Sequence, residues 1–396
     1  MSKSLYLHLS TRRTNGGSFQ YDMNALEAAL GLVSEGVPLF VGYEHPEWKS
    51  FIPENIPSIW IPRRRWVNVL FKGLTSVGAP LALMRFVFRL GHPASRYISP
   101  SPSVGKFITS QESQLAYLAP GPAVGVVHDL MHRYETSFPE AASGIRRRYR
   151  DRHFKLLATV ADGVCVDSDL GRRQLAESYG VSAEKADILP FAVPPYALED
   201  PACDFEVRYS LPPKFLFYPA TLWQHKNHAC ILRAMARLLP EIPDLHLVLA
   251  GGSGNAEADV NRLVSQLGLT DHVHRMGYVA DRDMSGFYLR ARALVMASFF
   301  GPTNIPPLEA MHHGCPVLVA NNYGMPDQCG DACIPFDPQD PEELAQAIAR
   351  IWTDDALAMS LAEKGRRRSQ QFSKSQFQAT CAEILHRRLN LEMARQ

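Results

Sequence analysis

Short apolar runs alternate with longer amphipathic stretches along most of this chain, and the alternation stops once and then restarts. Leu5–Leu9, Leu39–Tyr43, Ile56–Ile61, Ala123–Val127 and Gly163–Val166 read as strands. Ala123–Val127 is apolar throughout, the pattern of a strand covered on both faces. Phe19–Glu35 and Leu170–Tyr179 carry helical periodicity, and Asn15-Gly16-Gly17 reads as a turn. Such strand–helix–strand units build a mostly parallel, doubly wound sheet. The rhythm breaks at Leu189-Pro190-Phe191-Ala192-Val193-Pro194-Pro195, because adjacent prolines suit neither a central strand nor a helix interior. A linker is expected there, running to about Pro201. A second series follows, with strands at Phe215–Tyr218, Leu245–Ala250, His272–Met276, Ala293–Ala297 and Pro316–Val319. Helices are expected at Ala229–Leu239, Ala256–Leu267, Asp283–Arg290 and Pro306–His313, then at Glu342–Trp352, Ala356–Gln371 and Ser375–Leu391.

The expected architecture is therefore α/β, with two Rossmann-like doubly wound domains facing an interdomain cleft. Residues 1–195 form the first domain and 196–375 the second, and 376–396 form a helix packing back on the first. Ligands of open parallel sheets bind outside the carboxyl ends of the strands. Two such sheets suit two substrates, or one large one, meeting between domains. With 41 Lys+Arg against 40 Asp+Glu the net charge is +1, which gives no whole-chain attraction to nucleic acid. No uninterrupted apolar run is long enough for a membrane-spanning helix, and the first residues have too short an apolar core for a secretory signal. The seven cysteines are scattered without a C-x-x-C pair, which fits reduced thiols in a cytosolic protein.

The most informative segment is Phe300 to Val317, FGPTNIPPLEAMHHGCPV: a turn-rich loop, a helix opened by prolines, then Gly-Cys-Pro before a strand. Prolines suit a first helical turn. The free backbone N–H groups and positive dipole expected there make a site for a phosphate or diphosphate. Glu309, inside the helix, is placed to accept from two vicinal hydroxyls; the plainer alternative is an incidental surface carboxylate on a capped helix. His128 ends the buried strand, where a polar side chain faces the site or serves as a hydrogen-bonded core histidine. Gly16 and Gly17 let a backbone approach a ligand closely. Lys226, by itself, reads more simply as solvated surface than as a diphosphate ligand.

The stretch Phe215–Pro338 resembles the C-terminal half of the group 1 (family 4) glycosyltransferases, which have the GT-B fold. The similarity is carried in order by Phe217-Tyr218-Pro219-Ala220-Thr221 with His225-Lys226-Asn227, by Leu247 to Gly254, by Val273 to Val279, by Pro307-Leu308-Glu309-Ala310-Met311 with Gly314-Cys315-Pro316-Val317, and by Gly330-Asp331-Ala332 with Phe336-Asp337-Pro338. The N-terminal half is similar more thinly, through Gly16-Gly17, His128-Asp129 and Asp167-Ser168. The resemblance implies a retaining hexosyltransferase acting on a nucleotide diphosphate sugar, with His128, Lys226 and Glu309 at the chemistry. It implies donor contacts from Gly16, Gly17, Thr221, Lys226, Gly251, Met276, Gly301, Thr303, Asn304, Ile305 and Glu309. No metal and no cofactor are expected, the nucleotide sugar being substrate.

The chain departs from the family pattern at Gly301, where the first Glu of E-x7-E should stand, and before Lys226, where an Arg is common and Thr221 or the nearby Trp223 and Gln224 stand instead. Sugar recognition then falls to backbone amides and Asn304. The missing Glu leaves a non-catalytic binding or scaffold protein as an alternative, beside a sugar-nucleotide epimerase or sucrose-synthase-like enzyme. Asp167-Ser168-Asp169 and Asp281-Arg282-Asp283 have D-x-D spacing, but both precede helices and are expected as caps. Trp60–Leu90 is basic and apolar, with Arg63-Arg64-Arg65-Trp66 and Arg85-Phe86-Val87-Phe88-Arg89. It reads as a surface helix that contacts anionic membrane or as a core helix with a charged flank. The partners expected are thus a nucleotide-sugar donor, a saccharide or lipid-linked acceptor, and peripheral membrane, with no nucleic acid. The expected role is cell-surface polysaccharide or lipopolysaccharide synthesis at the inner face of the plasma membrane. GDP-mannose is the favoured donor.

Overall fold

The computed structural model describes residues 4–13, 16–98, 103–141 and 144–391, so Asn15 of the expected turn lies outside the described residues. Its contacts separate into two units: residues 1–136, 141–190 and 375–396, and residues 137–140 and 191–374. Each unit is an all-parallel sheet with helices between its strands.

The first unit holds β1 (Ser4–Leu9), β2 (Leu39–Tyr43), β3 (Ser58–Trp60), β4 (Val104–Ile108), β5 (Ala123–Val127), β6 (Gly163–Val166) and β7 (Ala186–Ile188), in the order β3-β2-β1-β4-β5-β6-β7. The second holds β8 (Leu216–Pro219), β9 (Leu247–Ala250), β10 (Val273–Gly277), β11 (Ala293–Met296), β12 (Val317–Ala320) and β13 (Cys333–Phe336), in the order β10-β9-β8-β11-β12-β13. Every residue of β5, β6, β9, β11 and β12 is buried, as covering both faces of a parallel sheet requires.

Three of these strands escape the hydrophobic pattern, each for a local reason. β4 has Lys106 at its centre, fully buried, with Nζ 3.3 and 3.4 Å from the carbonyls of Pro122 and Val104. Burial pulls this ammonium down to about 8, partly opposed by Asp162. β7 is three residues long and carries Asp187, whose carboxylate pairs with Arg387 and Arg388 of the last helix, Lys374–Leu389. β13 contains Pro335, which its edge position tolerates.

Trp60–Leu90 forms two helices rather than one. Arg65–Ser76 and Leu81–Gly91 are separated at Gly78, whose φ of +80° suits glycine, and at Pro80. Phe88 is 1% exposed and packs in the core, and Arg85 Nε donates to the carbonyl of Tyr117 at 2.9 Å. Both residues therefore leave the candidate membrane face. Trp66, Val69, Leu70, Leu83, Phe86 and Leu90 remain exposed on these helices. No helix among the described residues is long and apolar enough to cross a membrane.

Neither D-x-D pair caps a helix through an aspartate. Ser168 caps Asp169–Tyr179, its Oγ accepting from Gly171 N at 3.1 Å. Asp283, in the first turn of Asp281–Arg290, instead takes both guanidinium nitrogens of Arg208 at 2.6 and 2.7 Å and the Tyr209 hydroxyl at 2.9 Å. Arg208 and Tyr209 follow the linker region, so this ion pair ties the chain just past it to helix Asp281–Arg290.

Candidate functional site

In the second unit, β8 lies between β9 and β11, so the loops leaving their carboxyl ends adjoin. The β8 loop contains Thr221 and Lys226 and passes through a single turn of 3-10 helix, Gln224–Lys226, before helix His228–Leu238. Asn227 closes that turn at φ 55°, a left-handed conformation asparagine tolerates, with Nδ2 donating to Pro338 O at 2.7 Å. The buried Tyr218 hydroxyl donates to the carbonyl of Lys226 at 2.7 Å. The backbone that presents the Lys226 ammonium is thereby held from both sides.

Gly251 and Gly254 serve loop packing. A Cβ on Gly251 would come within 2.5–2.8 Å of backbone atoms of Ala220 and Thr221, and Gly254 meets Leu222 in the same way. The β9 loop thus lies directly against the β8 loop. Met276 is half-buried in the edge strand β10, beside these loops.

The β11 loop enters under tight control. Phe299 N donates to His225 O at 2.7 Å, and Asn322 Nδ2 donates to Phe299 O at 2.8 Å. Asn304 is clamped by one buried side chain: its N–H donates to Gln328 Oε1 at 2.9 Å, and Gln328 Nε2 donates to its carbonyl at 2.8 Å. Gln328 is itself placed by Arg368, whose Nε donates to its carbonyl at 3.0 Å. The Asn304 side-chain amide nitrogen is buried with no hydrogen-bond partner.

This geometry corrects the expectation of several free amides at the start of helix Ile305–His313. The Asn304 N–H is spent on Gln328, and Pro306 and Pro307 have none. Ile305 alone retains an N–H there, so the helix offers its dipole and one amide. Thr303 and Ile305 are half-buried on this loop.

Glu309 is not the incidental surface carboxylate that was the plainer alternative. It is 2% exposed, and its two carboxylate oxygens accept from the hydroxyls of Tyr196 and Tyr288. Burial raises this carboxyl group above its usual range, against the two phenol hydrogen bonds. Two phenols thus stand where two sugar hydroxyls were expected.

In the first unit, Gly16, at φ 52°, accepts from Phe19 N at 2.9 Å, and Gly17 opens the first helix, Gly17–Ser34. His128 follows β5. Its backbone N–H donates to Gln111 Oε1 at 3.0 Å, and its ring lies edge-on to Tyr21, centroids 4.6 Å apart. Burial pushes the imidazole down to about 4, with Asp129 opposing, so it is neutral near pH 7. Asp129 is held by Arg150 at 3.1 Å and by Gln111 Nε2 at 3.1 Å.

Sequence reasoning missed the residues that hold the candidates: Gln111, Tyr218, Gln328, and the segment Ser137–Glu140, which belongs to the second unit. There Phe138 stacks on Phe299 with centroids 5.4 Å apart, and Glu140 accepts from Gln224 N at 2.7 Å. Gln111 is a single amide in a loop and Gln328 one in the short helix Met325–Cys329, and no spacing marks them.

Residues 204–368 match the family model described as glycosyl transferases group 1. The O-antigen chain mannosyltransferase B of Escherichia coli is 27% identical over 271 residues, covering 65% of this chain and 71% of the relative. The mannosylfructose-phosphate synthase of Agrobacterium fabrum is 25% identical over 253 residues, and the match spans 58% of this chain and 55% of that protein. Among solved structures, Anabaena HepE in complex with UDP-glucose superposes with a TM-score of 0.72 over 97% of this chain and all of that one, at 16% identity. Residues 204–368 thus match the group 1 glycosyl transferases, and the two parallel-sheet units make the GT-B fold.

Proposed function

We propose that this protein is a retaining hexosyltransferase of cell-surface polysaccharide synthesis, acting on a saccharide or lipid-linked saccharide. The observation that carries this reading is the set of adjoining loops after β8, β9 and β11, within the segment that matches the family. GDP-mannose is the favoured donor, its sugar supported by the likeness to a mannosyltransferase and a mannosylfructose-phosphate synthase.

In the reaction the acceptor oxygen bonds to the donor's anomeric carbon as the bond from that carbon to the diphosphate breaks. The acceptor proton passes to the departing diphosphate, on the same face, which gives retention. Negative charge builds on the diphosphate, and Lys226 with the dipole of helix Ile305–His313 stabilises it electrostatically. Asn304 takes the sugar-recognition role that a carboxylate at position 301 would fill. Glu309 receives the ribose hydroxyls once Tyr196 yields its place. His128, neutral, lies against the transferred sugar. The protein works in the cytoplasm, at the inner face of the membrane.

The test is turnover of GDP-mannose, GDP-glucose, UDP-glucose and UDP-N-acetylglucosamine against glycoside acceptors, with the product's anomeric configuration read by NMR. Lys226→Ala should lower kcat by roughly 10²-fold, the usual cost of one preorganised electrostatic group. Nucleotide binding without transfer or hydrolysis from any donor would favour the scaffold alternative, and an inverted product would refute retention.

A further inference from the structure

Cys329 and Cys333 flank a tight turn in the second unit. Cys329 ends the short helix Met325–Cys329, the chain reverses at Gly330 with φ 60°, and Cys333 opens β13. The two thiols hydrogen-bond to each other, and Cys333 Sγ also lies 3.5 Å from the Gly330 carbonyl. We propose that this pair is a reversible oxidation site, a dithiol that closes to a disulfide and thereby loosens the Gln328 clamp on Asn304. The consequence for donor binding rests on the glycosyltransferase reading, whereas the oxidation and the loosened clamp do not.

The surroundings of the cysteines set this pair apart. Cys165, Cys230, Cys315 and Cys381 are buried. Burial pushes the thiols of Cys230, Cys315 and Cys381 up to about 12 and raises Cys165 well above its usual range, which makes them inert. Cys333 is half-buried, within reach of a small molecule. The hydrogen bond from Cys329 holds its thiol below the ordinary range, against burial, and the same bond together with burial raises Cys329. The more accessible sulfur is therefore the better nucleophile, and a second thiol stands beside it to resolve the product.

The oxidant is a low-molecular-weight disulfide. The Cys333 thiolate attacks one of its sulfurs, that S–S bond breaks, and one thiolate leaves. The Cys329 sulfur then gives up its proton, attacks the Cys333 sulfur and displaces the second thiolate. Two cysteine thiols become one disulfide, and the small disulfide takes up their two electrons and two protons as two thiols.

The turn transmits this change to Asn304. Bonded sulfurs lie closer together than hydrogen-bonded ones, so one side of the turn must yield. Cys333 is held in the sheet, where it pairs with Val317. Cys329 ends a short helix whose last turn is held by Arg368, with Nε and Nη2 donating to the carbonyls of Gln328 and Asp327 at 3.0 and 2.7 Å. The helix end is the side that moves, and Gln328 is the residue before Cys329. Its amide holds both the N–H and the carbonyl of Asn304, and hydrogen bonds weaken steeply as their geometry is disturbed.

Full-length Cys203→Ser protein, which lacks the exposed competing thiol, is equilibrated in reduced and in oxidised glutathione. Alkylation and peptide mass spectrometry should find Cys329 and Cys333 joined in the oxidised sample and free again after dithiothreitol. Deuterium exchange at residues 299–305 should be about fivefold faster in the oxidised form, the worth of one net hydrogen bond. Affinity for GDP or UDP, whichever binds, should weaken by about the same factor. Cys333→Ser should abolish these effects while keeping the reduced protein's affinity. Free thiols at both positions after oxidation overturn the proposal, as does a disulfide that leaves exchange there, or the affinity of a bound nucleotide, unchanged. A disulfide with faster exchange in a protein that binds no nucleotide diphosphate would instead sink the transferase reading and leave the oxidation site standing.

Discussion

The side-chain amide of Asn304 stands over the α-carbon of Gly301, in the space that a Cβ on residue 301 would need. Gly301 also has φ +151°, which residues with a side chain rarely adopt. The family's first glutamate is therefore excluded by the loop itself, and the departure from E-x7-E is a built alternative. Gly301→Ala should destabilise the second unit by about 1–3 kcal/mol, from backbone strain and the clash together, measured by thermal or denaturant unfolding. Asn304→Ala should leave stability within about 0.5 kcal/mol, since the lost amide nitrogen has no partner. It should nevertheless lower kcat/KM for the donor roughly tenfold. Equal activity in Asn304→Ala would remove this residue from sugar recognition.

Tyr196 and Glu309 give a second prediction, with an unusual sign. If Glu309 receives ribose hydroxyls, the Tyr196 phenol competes with the nucleotide for one oxygen. Tyr196→Phe should then tighten nucleotide diphosphate binding several-fold, about the worth of one net hydrogen bond. Glu309→Gln should weaken it. Calorimetric titration of GDP and UDP decides the matter, and weaker binding by Tyr196→Phe would make the tyrosine part of the site.

How much of this was legible in the sequence depends on what each residue does. β5 and β9 announced themselves because burial on both faces demands an unbroken apolar run. β4 did not, since a fully buried Lys106 breaks its run while backbone carbonyls satisfy it. The β8 and β11 loops were visible through Lys226 and the Pro306-Pro307 helix start. The consequence of those prolines for the amide count required knowing that Gln328 takes the remaining N–H of Asn304. Phe88 looked like a membrane anchor because helical phase cannot be set across the break at Gly78–Pro80, and it is core. Glu309 stood out in the sequence as a candidate, but its tyrosine partners lie 113 and 21 positions away and follow no spacing rule.

Asp22 supplies a test of the first unit by pH. It is 1% exposed, and burial raises its carboxyl group to about 6, against hydrogen bonds from Thr109 and Thr11. In the unfolded chain an aspartate titrates near 4. Between about pH 4 and pH 6 the folded state therefore holds a proton that the unfolded state has released. Stability from this group falls as pH rises through that window and is flat above it. Asp22→Asn removes the dependence and keeps an acceptor for the Thr11 hydroxyl, now 2.7 Å away. Its stability advantage over the wild type should grow from near zero at pH 4 to as much as about 3 kcal/mol above pH 6. A gap independent of pH would show that Asp22 titrates normally in the folded protein.

The membrane proposal is sharper once the two helices are separated. Trp66 is 57% exposed, Phe86 60% and Leu90 73%, while Arg64, Arg65 and Arg89 are exposed beside them. Aromatic and aliphatic side chains flanked by cations suit the headgroup region of an anionic bilayer. Co-sedimentation with liposomes containing about a third anionic lipid should capture the wild type at low salt and release it as salt rises, because surface attraction is screened. Arg64, Arg65 and Arg89 changed together to Glu should abolish capture. Trp66→Ser with Phe86→Ser should weaken it without lowering the thermal midpoint, as neither side chain is in the core. Phe88→Ser is the control that separates docking from folding, since a buried phenylalanine lost from the core typically costs about 3–5 kcal/mol. Wild-type protein that stays in the supernatant at low salt would end the membrane reading, and a soluble saccharide acceptor would take its place.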